Sequence, residues 1–546
     1  MSPLWWIEEI GMNVIVIMSD TLRTDHLGCY GAEGIRTPNI DLLAEESAVF
    51  DRAYIASYPT VPNRADLFMG RYTFPFRGWQ PLEPGDVILP EIISRHGVTS
   101  QLIFDTPPVL YGNFMRGFSG WWYERGHHMD PYITDPTVPT PLPAAPHKFR
   151  SPARVRQYLR NRGHWRYEKD YIAPRTMTRA MEWLERNYTL DRFLLWVDAW
   201  DPHEPFDPPP HYLRLYADLD EDVESIVYPQ YGRCDYMTKP ELRRVRALYA
   251  GEVTMVDTWT GQLLDTVDRL GLRESTLIVF TSDHGHLFGE YGLEGKPGGV
   301  LGRLYEITTR IPLIIRHPSG LGSGQRIDAI VQPPDILPTI LEFLGIPIPK
   351  TVHGRSIWPL VTGEAEAIHD HAFSGRFPGS AFEALIYDGW AGPFTAVSPL
   401  TVTNERWALI CSPDPSRSEL YDLDADPEQE TNLIDREPDV AAAMRRALIA
   451  FMSQVGAKRE IVDPFQGEVA GLHERLDPDT ILYLIRDERG LGLAFPNMEQ
   501  VRKYAPPKTR SEEVERLSLR SLVEREPRTL VHYFDQYYWA EELLTS

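Results

Sequence analysis

The 546-residue chain has few cysteines and no excess of positive charge, and both shortages narrow the class of protein. Its three cysteines, Cys29, Cys234 and Cys411, provide no disulfide framework, and an odd count argues against a secreted, disulfide-stapled fold. The net charge of −23 disfavours a surface for nucleic acid or lipid headgroups. The first residues contain neither a basic stretch nor a long apolar run. We therefore expect a soluble, cytoplasmic protein with no nucleic-acid or membrane partner.

The chain does contain enough apolar material for a large core. Hydrophobic residues make up 42% of the sequence, as in ordinary globular proteins, and the length predicts more than one domain. Short apolar runs alternate with helical patterns up to about residue 345. They lie at residues 13–18, 99–104, 192–197, 277–281 and 311–315. This alternation predicts an α/β fold with a mostly parallel sheet flanked by helices.

The pattern changes at about residue 372 and predicts a smaller α+β domain. Residues 394–399, 400–404 and 407–412 are typical of antiparallel strands, and 438–455 of a helix. We therefore predict a catalytic domain over 1–371, a small C-terminal domain over 372–459 and a helical and aromatic extension over 460–546.

Two segments suggest contacts with other molecules. Residues 533–539 contain five aromatic side chains, which predicts packing on the body, on a neighbouring subunit or beside a substrate channel. Residues 147–166 hold seven basic side chains and no acid. These predict a solvated helix face, a subunit contact or a rim that steers anions. On these grounds we expect a homo-oligomer.

Carboxylates follow two of the apolar runs. Asp20 comes after residues 13–18, and Asp283 and His284 come after 277–281. Because parallel strands deliver their carboxyl ends to one edge of a sheet, these side chains are candidate ligands of a divalent cation. An imidazole ligand shifts the preference from Ca²⁺ toward Mn²⁺, Zn²⁺ or Fe²⁺. The alternative is that the carboxylates only cap the helices that follow.

The run Thr60-Val61-Pro62-Asn63-Arg64 resembles the signature of the sulfatases, which begins with Cys or Ser where this chain has Thr60. Other family motifs follow in the same order between about residues 13 and 433. They are Thr37-Pro-Asn-Ile-Asp41, Gly289-Glu-Tyr-Gly-Leu-Glu-Gly295-Lys296, Asp335-Ile-Leu-Pro338 and Leu420-Tyr-Asp-Leu-Asp-Ala-Asp-Pro427. The resemblance implies a fold like that of the sulfatases and alkaline phosphatase.

The resemblance also implies that Thr60 performs different chemistry from its family counterpart. Sulfatases oxidise their Cys or Ser to formylglycine, whereas oxidation of a threonine would give a ketone because of its β-methyl group. We therefore expect no formylglycine, and we predict that the Thr60 hydroxyl is itself the nucleophile, activated by the metal. The alternative is that Thr60 is a helix N-cap.

Matching positions imply further roles. One divalent ion (Mn, Zn, Fe or Ca) would be held by Asp20, Asp283 and His284, with Thr60 and Thr21 as further ligands, although sulfatases usually have Asp or Gln where Thr21 stands. Arg64 would orient the nucleophile, His203 would protonate the leaving group and Lys296 would contact the transferred group. The alternatives are a structural salt bridge, a loop histidine and a solvated lysine. His286 is placed in the second shell or at the surface.

A family motif is also absent. Typical sulfatases hold sulfate with a Lys-Trp-His run after the strand that corresponds to residues 99–104, but here the chain continues into Asp105 and Thr106. Phosphonate monoester hydrolases, a branch of the same superfamily, also lack that run. Asp105 or Thr106 is therefore a candidate for a leaving-group contact, and the alternative for Asp105 is a turn residue.

Together these features predict a metal-dependent hydrolase of phosphate diesters or phosphonate monoesters that acts on a small anionic ester. Two alternatives remain. One is a sulfatase-like enzyme that acts on sulfate esters, and the other is a catalytically silent relative that binds an anion.

Overall fold

The computed structural model describes residues 12–296, 303–377, 398–413 and 417–466. It also describes residues 479, 481–486, 492–495, 498, 514–525, 530–533 and 536–539. Within these parts of the chain, no helix is both long and apolar enough to cross a membrane.

Eleven strands precede residue 332 in the described part of the chain. They are β1 Asn13–Ser19, β2 Ala48–Ala53, β3 Thr99–Phe104, β4 Gly120–Tyr123, β5 Phe193–Ala199, β6 Gly232–Arg233, β7 Thr276–Ser282, β8 Leu287–Phe288, β9 Leu293–Gly295, β10 Leu313–Arg316 and β11 Gln325–Val331. Eight form the central sheet in the order β11-β2-β10-β7-β1-β5-β3-β4. Strand β10 is antiparallel to both its neighbours, and the other neighbouring pairs of this sheet are parallel. The predicted mostly parallel sheet is confirmed.

Helices cover both faces of this sheet. Their bounds are α1 Pro38–Glu45, α2 Thr60–Met69, α3 Leu89–Ser94, α4 Pro107–Tyr111, α5 Pro152–Asn161, α6 Ile172–Asn187, α7 Pro210–Leu213, α8 Lys239–Arg269, α9 Glu306–Thr309, α10 Ile336–Phe343 and α11 Trp358–Val361. Helix α2 packs in one hydrophobic cluster and α8 in another. These two clusters lie on opposite faces of the sheet.

Strand β1 shows why the central strands are apolar throughout. Val14 and Val16 belong to the cluster that contains α2, whereas Ile15 and Ile17 belong to the cluster that contains α8. Successive side chains of a strand point to opposite faces, so a strand buried on both faces needs an unbroken apolar run. The same rule explains β5 and β7, which are buried along their whole length.

A smaller antiparallel sheet follows the central domain. Its strands, in order, are β12 Ala372–Ser374, β13 Leu400–Thr403, β14 Trp407–Cys411 and β15 Glu419–Asp422, and helix α12 Pro438–Val455 packs against them. The predicted strands at 400–404 and 407–412 and the predicted helix are confirmed. Most of the strand predicted at 394–399 lies outside the described residues, and 398–399 are not in a strand.

Gly375, just after β12, joins this sheet to the central domain. The Tyr58 N–H donates to Gly375 O at 2.8 Å, and the Gly375 N–H donates to Ala56 O at 2.8 Å. The segment that leads into α2 is therefore hydrogen-bonded to the smaller sheet. A Cβ on Gly375 would lie 2.4 Å from Leu400 Cδ2, which explains a glycine at this point of close approach.

The described parts of 460–546 contain a five-stranded sheet that the sequence did not predict. Its order is β18-β16-β17-β19-β20, and two short helices lie before and within it. The bounds are α13 Arg459–Gln466, β16 Ile481–Arg486, β17 Gly492–Phe495, β18 Glu515–Ser518, α14 Leu519–Arg525, β19 Leu530–Tyr533 and β20 Gln536–Trp539. The predicted packing of the aromatic side chains at 533–539 lies outside what the structure describes.

Candidate active site

Two carboxylates lie side by side where neighbouring parallel strands end. Asp20 directly follows β1, Asp283 directly follows β7, and both are fully buried. The Thr21 N–H donates to Asp283 Oδ1 at 2.8 Å, and the Thr21 hydroxyl donates to Asp20 Oδ1 at 2.7 Å. Thr21 therefore fixes the orientation of both carboxylates, whether or not its hydroxyl also reaches a metal as predicted.

The backbone of Thr21 is strained. Its φ is 66°, in the left-handed region that a β-branched residue rarely adopts. The buried Tyr249 hydroxyl donates to Thr21 O at 2.8 Å, which adds a third hydrogen bond to the two on the carboxylate side. Such strain persists where the surrounding structure over-determines the conformation, and it is frequent at functional sites.

His284 stands between the carboxylates and Thr60. Its Nδ1 lies 2.9 Å from Gly285 O, so Nδ1 donates and Nε2 carries the lone pair. That Nε2 lies 3.5 Å from Asp283 Oδ2 and 3.4 Å from Thr60 Oγ1. Gly285 allows the loop to pass close to a neighbour, because a Cβ there would lie 1.9 Å from Ile307 O.

These three side chains form a set of donors that fits a divalent cation. One ligand atom each from Asp20, Asp283 and His284 lies within 4.8 Å of the others. Burial and the neighbouring Asp283 raise the pKa of Asp20 well above its usual value, because two carboxylates are crowded in a dry site. Two carboxylate oxygens and one imidazole nitrogen suit Mn²⁺, Zn²⁺ or Fe²⁺.

The pKa values of Asp283 and His284 suit a role as metal ligands. Burial alone would raise the pKa of Asp283, but His284 and Arg64 outweigh it and hold this pKa below its usual value. Burial lowers the pKa of His284 to about 4. Asp283 is therefore anionic and His284 neutral at neutral pH, as metal binding requires.

Thr60 is the first residue of α2, a helix in which all ten residues are buried. Pro59 occupies the N-cap position, so Thr60 is the first helical residue and not the N-cap. The N-terminal end of a helix favours negative charge through its free N–H groups and its dipole. The structure thus places the Thr60 hydroxyl at a position suited to an anionic ester, beside His284.

Arg64, one turn further along α2, holds three carboxylates. Its guanidinium contacts Asp283 Oδ2 at 2.7 Å, Asp20 Oδ2 at 3.1 Å, and both oxygens of Asp198 at 2.7 and 2.8 Å. It also donates to Thr60 O at 3.2 Å. Since all these groups are buried, Arg64 ties the nucleophile position to the ends of three strands.

Asp198 is a site residue that the sequence analysis missed. It lies near the end of β5 and pairs with Arg64, while the Thr106 hydroxyl donates to Asp198 Oδ1 at 2.8 Å. The available signal was the same as for Asp20, namely a carboxylate at the end of an apolar run. Asp105, for which a leaving-group contact or a turn role was expected, is buried, and its oxygens accept hydrogen bonds from the Thr176 hydroxyl and the Trp200 N–H.

His203 lies on the loop after β5, with an 8% exposed side chain. Its Nδ1 lies 2.7 Å from Glu204 O, so Nδ1 donates and Nε2 carries the lone pair. The ring packs against Trp200 and stacks on His128, with centroid distances of 4.1 and 5.8 Å. Burial, reinforced by the positive charge of Lys296, lowers the pKa of His203 well below 6.5, so the ring is neutral in the substrate-free protein.

Glu204 organises the second part of the site. It is fully buried, and its Oε2 lies 3.1 Å from Lys296 Nζ. The Tyr231 hydroxyl donates to Glu204 Oε1 through a short hydrogen bond, and it lies 3.3 Å from Lys296 Nζ. Burial alone would raise the pKa of Glu204, but Lys296, His286 and Arg150 outweigh it and hold this pKa well below its usual value.

Tyr231 also packs closely against the residue before Lys296. Gly295 has a φ of 92°, and a Cβ there would lie 2.2 Å from the Tyr231 ring. His286 is fully buried, with Nε2 3.1 Å from Glu294 Oε1, so of the two positions expected for it the surface one is excluded. Glu204, Tyr231 and Glu294 were not predicted as site residues, although Glu204 adjoins His203 and Glu294 lies in the motif that ends at Lys296.

Comparison with known proteins is consistent with this geometry. The sulfatase family model matches residues 12–346, and a model described as "N-sulphoglucosamine sulphohydrolase, C-terminal" matches residues 302–454. An arylsulfatase of Clostridium perfringens is 24% identical over 464 residues, covering 78% of this chain and 90% of that protein. A multifunctional alkaline phosphatase superfamily protein of Trinickia caryophylli, PehA, is 26% identical over 413 residues, covering 64% and 77%.

A solved structure shares the fold. The phosphonate monoester hydrolase of Agrobacterium radiobacter superimposes with a TM-score of 0.65 at 23% identity, covering 81% of this chain and 96% of that one. The central sheet, its helices and the smaller antiparallel sheet therefore form a known architecture.

Proposed function

This chain belongs to the sulfatase family, and from that premise we propose that it hydrolyses phosphate diesters or phosphonate monoesters with Thr60 as the nucleophile. Its substrate is a small anionic ester. One observation carries the proposal. A threonine hydroxyl stands at the head of α2, 3.4 Å from His284 Nε2 and beside the cluster of Asp20 and Asp283.

The identity of the nucleophile favours phosphorus over sulfur. A formylglycine hydrate can release sulfate when its hemiacetal collapses, whereas a sulfated threonine has no second hydroxyl on the same carbon and lacks that route. A phosphorylated threonine can instead be hydrolysed by water attacking phosphorus. The fold shared with a phosphonate monoester hydrolase supports this proposal by analogy.

The bound divalent cation would supply Lewis acidity that stabilises negative charge on the nucleophile and on the transferred group. Asp20, Asp283 and His284 would hold it, with Thr21 keeping the two carboxylates oriented. Arg64 fixes the Thr60 backbone against the same carboxylates. The Thr60 oxygen therefore has a defined position from which to attack phosphorus.

In the first step Thr60 Oγ1 bonds to phosphorus and the bond to the leaving oxygen breaks. The proton of the Thr60 hydroxyl passes to solvent water as that bond forms. The departing alkoxide or phenoxide takes a proton from His203 or Lys296, and solvent restores the proton to that donor. In the second step water adds to phosphorus, Thr60 Oγ1 departs and regains a proton, and the product acid is released. Because His203 is neutral before substrate binds, it must gain a proton when the anionic ester arrives to act as the acid.

Sulfate-ester hydrolysis is the second candidate, and a specific observation favours it. The arylsulfatase of C. perfringens aligns over 90% of its own length. In that case the unmodified Thr60 would act on sulfur, with lower activity than formylglycine gives. The catalytically silent alternative is disfavoured, because Asp20, Asp283 and His284 remain together as a buried set of donors.

The test is a panel assay with wild type and Thr60→Ala. Aryl phosphate diesters, phosphonate monoesters, phosphate monoesters and sulfates of the same phenol are compared, with metal content and thermal unfolding as controls. We expect the diester or phosphonate to be preferred. Thr60→Ala should fold and bind metal but lose about 10³-fold or more in kcat.

Intact-mass spectrometry during turnover should show a phosphoryl adduct on the peptide that contains Thr60. Near-normal phosphodiesterase activity in Thr60→Ala would end the covalent mechanism and leave water as the attacking group. A wild-type preference for sulfates would instead establish the second candidate.

A further inference from the structure

The Tyr249 hydroxyl is bonded to the loop that begins at a proposed metal ligand. Tyr249 lies on α8 and is fully buried. Its hydroxyl donates to Thr21 O at 2.8 Å and accepts a hydrogen bond from the Arg23 N–H at 3.0 Å. Both bonds hold backbone atoms of the segment that directly follows Asp20. A side chain from the flanking helix therefore fixes the backbone next to a proposed ligand.

The conformation of Thr21 needs such support. Its φ is 66°, and a β-branched residue in the left-handed region is a genuine outlier. In this conformation the N–H reaches Asp283 Oδ1 at 2.8 Å and the hydroxyl reaches Asp20 Oδ1 at 2.7 Å. Because φ is the rotation about the N–Cα bond, its relaxation would turn the side chain relative to the N–H. The pair of hydrogen bonds to the two carboxylates would then be disturbed.

The contacts around the loop leave the carbonyl of Thr21 to Tyr249. The Leu22 N–H donates to Ser282 Oγ at 2.9 Å, which fixes the next peptide. Among the described residues, the Tyr249 hydroxyl is the one donor that reaches Thr21 O. The Tyr249 ring is held separately, with its centre 4.7 Å from that of Phe288. Loss of the hydroxyl alone would therefore free the carbonyl and leave the ring packed.

We propose that Tyr249 is a positioning residue of the metal site, because its hydroxyl holds Thr21 in the left-handed conformation. Thr21 in turn orients the carboxylates of Asp20 and Asp283 before the ion binds. Partners that orient metal ligands contribute to affinity although they do not touch the ion. The inference rests on the metal site of the proposed function and is independent of which ester is hydrolysed.

The test measures the affinity of the metal-free protein for Mn²⁺ and for Zn²⁺ by isothermal titration calorimetry, with no substrate present. Tyr249→Phe removes the hydroxyl and keeps the ring. The Kd for the ion should rise about 10-fold, the low end of the effect of removing a group that orients a metal ligand.

Tyr30 offers a matched control. Its hydroxyl also accepts a backbone N–H and donates to a backbone carbonyl, in this case both of Leu313, at 2.9 and 3.1 Å. Tyr30→Phe should lower the Tm of the metal-free protein, as Tyr249→Phe does, because each leaves backbone groups without a partner. It should leave the Kd for the ion unchanged. The control thus separates a general loss of stability from a loss of ligand orientation.

A second background tests the proposed route through Thr21. Asparagine enters the left-handed region more readily than other residues except glycine, so Thr21→Asn relieves the strain that Tyr249 offsets. In that background Tyr249→Phe should raise the Kd by less than about threefold, since the two positions are coupled. Taking the ratio of Kd values within each background cancels any direct effect of the asparagine on the ion.

Equal Kd values in wild type and Tyr249→Phe would overturn the proposal. An equal rise in Tyr30→Phe, or the same rise in both backgrounds, would also overturn it. If Tyr249→Phe folds only in the Thr21→Asn background, that dependence is the expected coupling, whereas failure to fold in both would make Tyr249 a structural residue only. If wild type binds neither ion, the metal site of the proposed function fails as well. Tight binding that is unchanged in Tyr249→Phe would refute this inference alone.

Discussion

The two halves of the site are built from different material and carry opposite charge. The acidic half contains Thr60, His284 and three carboxylates around Arg64, and it lies at strand ends and on α2. The basic half contains His203, Tyr231, Lys296 and Arg150 around Glu204, and it lies mostly on loops.

The difference shows how one pocket can hold a cation and an anion. Three carboxylates against one guanidinium leave an acidic half that suits a divalent metal, whereas one carboxylate against two cations leaves a basic half that suits an oxyanion. Attraction between unit charges a few ångströms apart is strong when water is excluded. An ester bound between the halves would place its transferred group on the acidic side with the metal and its leaving group on the basic side.

The largest expected effect comes from breaking the acidic half. Asp20→Ala or Asp283→Ala should abolish bound metal and lower kcat/KM by at least about 10³-fold, because Lewis acidity supplies several kcal/mol. Metal content by elemental analysis and the rise in Tm on adding Mn²⁺ are the measurements. Asp328→Ala, a carboxylate with a 65% exposed side chain, is the control, and full metal retention in both site variants would contradict the proposed site.

A smaller, selective effect should come from the basic half. His203→Gln should slow substrates with poor leaving groups by roughly 10²-fold or more, the low end of general acid catalysis. Nitrophenyl esters should be slowed far less, because an activated phenoxide leaves without a proton. A plot of log kcat/KM against leaving-group pKa should therefore become steeper in the variant. Equal losses across all leaving groups would make His203 a positioning residue.

The pH dependence of the leaving-group preference provides a second test of His203 as the proton donor. The pKa of His203 lies well below 6.5, so the protonated fraction grows as pH falls below 6.5. The ratio of kcat/KM for poor to good leaving groups should rise by up to about tenfold per pH unit in that range. Using a ratio removes the effect of metal loss at low pH. The rise should vanish in His203→Gln, and a flat wild-type ratio would assign the proton to another donor such as Lys296.

The smallest expected effect tests how Lys296 is held. Glu204→Gln should lower kcat about 10-fold, since the charge-assisted hydrogen bond to Lys296 is weakened. The KM for an anionic ester should not rise, because the substitution makes the basic half more positive. Glu294→Gln is the matched control on a neighbouring buried glutamate. Burial raises the pKa of Glu294 well above its usual value, so the substitution replaces one neutral group with another. Equal kinetic changes in the two variants would refute the specific role of Glu204.

Sequence patterns predicted the acidic half far better than the basic half. Asp20 and Asp283 follow from local periodicity, because a buried strand must be apolar throughout and a polar residue at its end must lie at the sheet edge. Thr60 was marked by the resemblance of its segment to the sulfatase signature. Asp198 gave the same signal as Asp20. Its partnership with Arg64 depends on the strand order, in which β1 lies between β5 and β7.

The basic half depends on contacts between distant parts of the chain. Arg150, Glu204, Tyr231 and Lys296 lie on separate segments, and only the folded backbone brings them together. No spacing rule marks such a cluster in advance. The five-stranded sheet near the C-terminus was missed for a related reason, because several of its strands have only four residues and leave little periodicity to detect.

The hydrogen bonds of Gly375 have a consequence for protein engineering. They join the residue after β12 to the segment that leads into Thr60. The smaller sheet and this segment are therefore held together by backbone hydrogen bonds. A chimaera could take the smaller sheet from a relative and keep residues 54–60 of this chain. In that chimaera the two segments would not match at these hydrogen bonds. A workable exchange would move both pieces together, with crossover points placed before residue 54 and after α2.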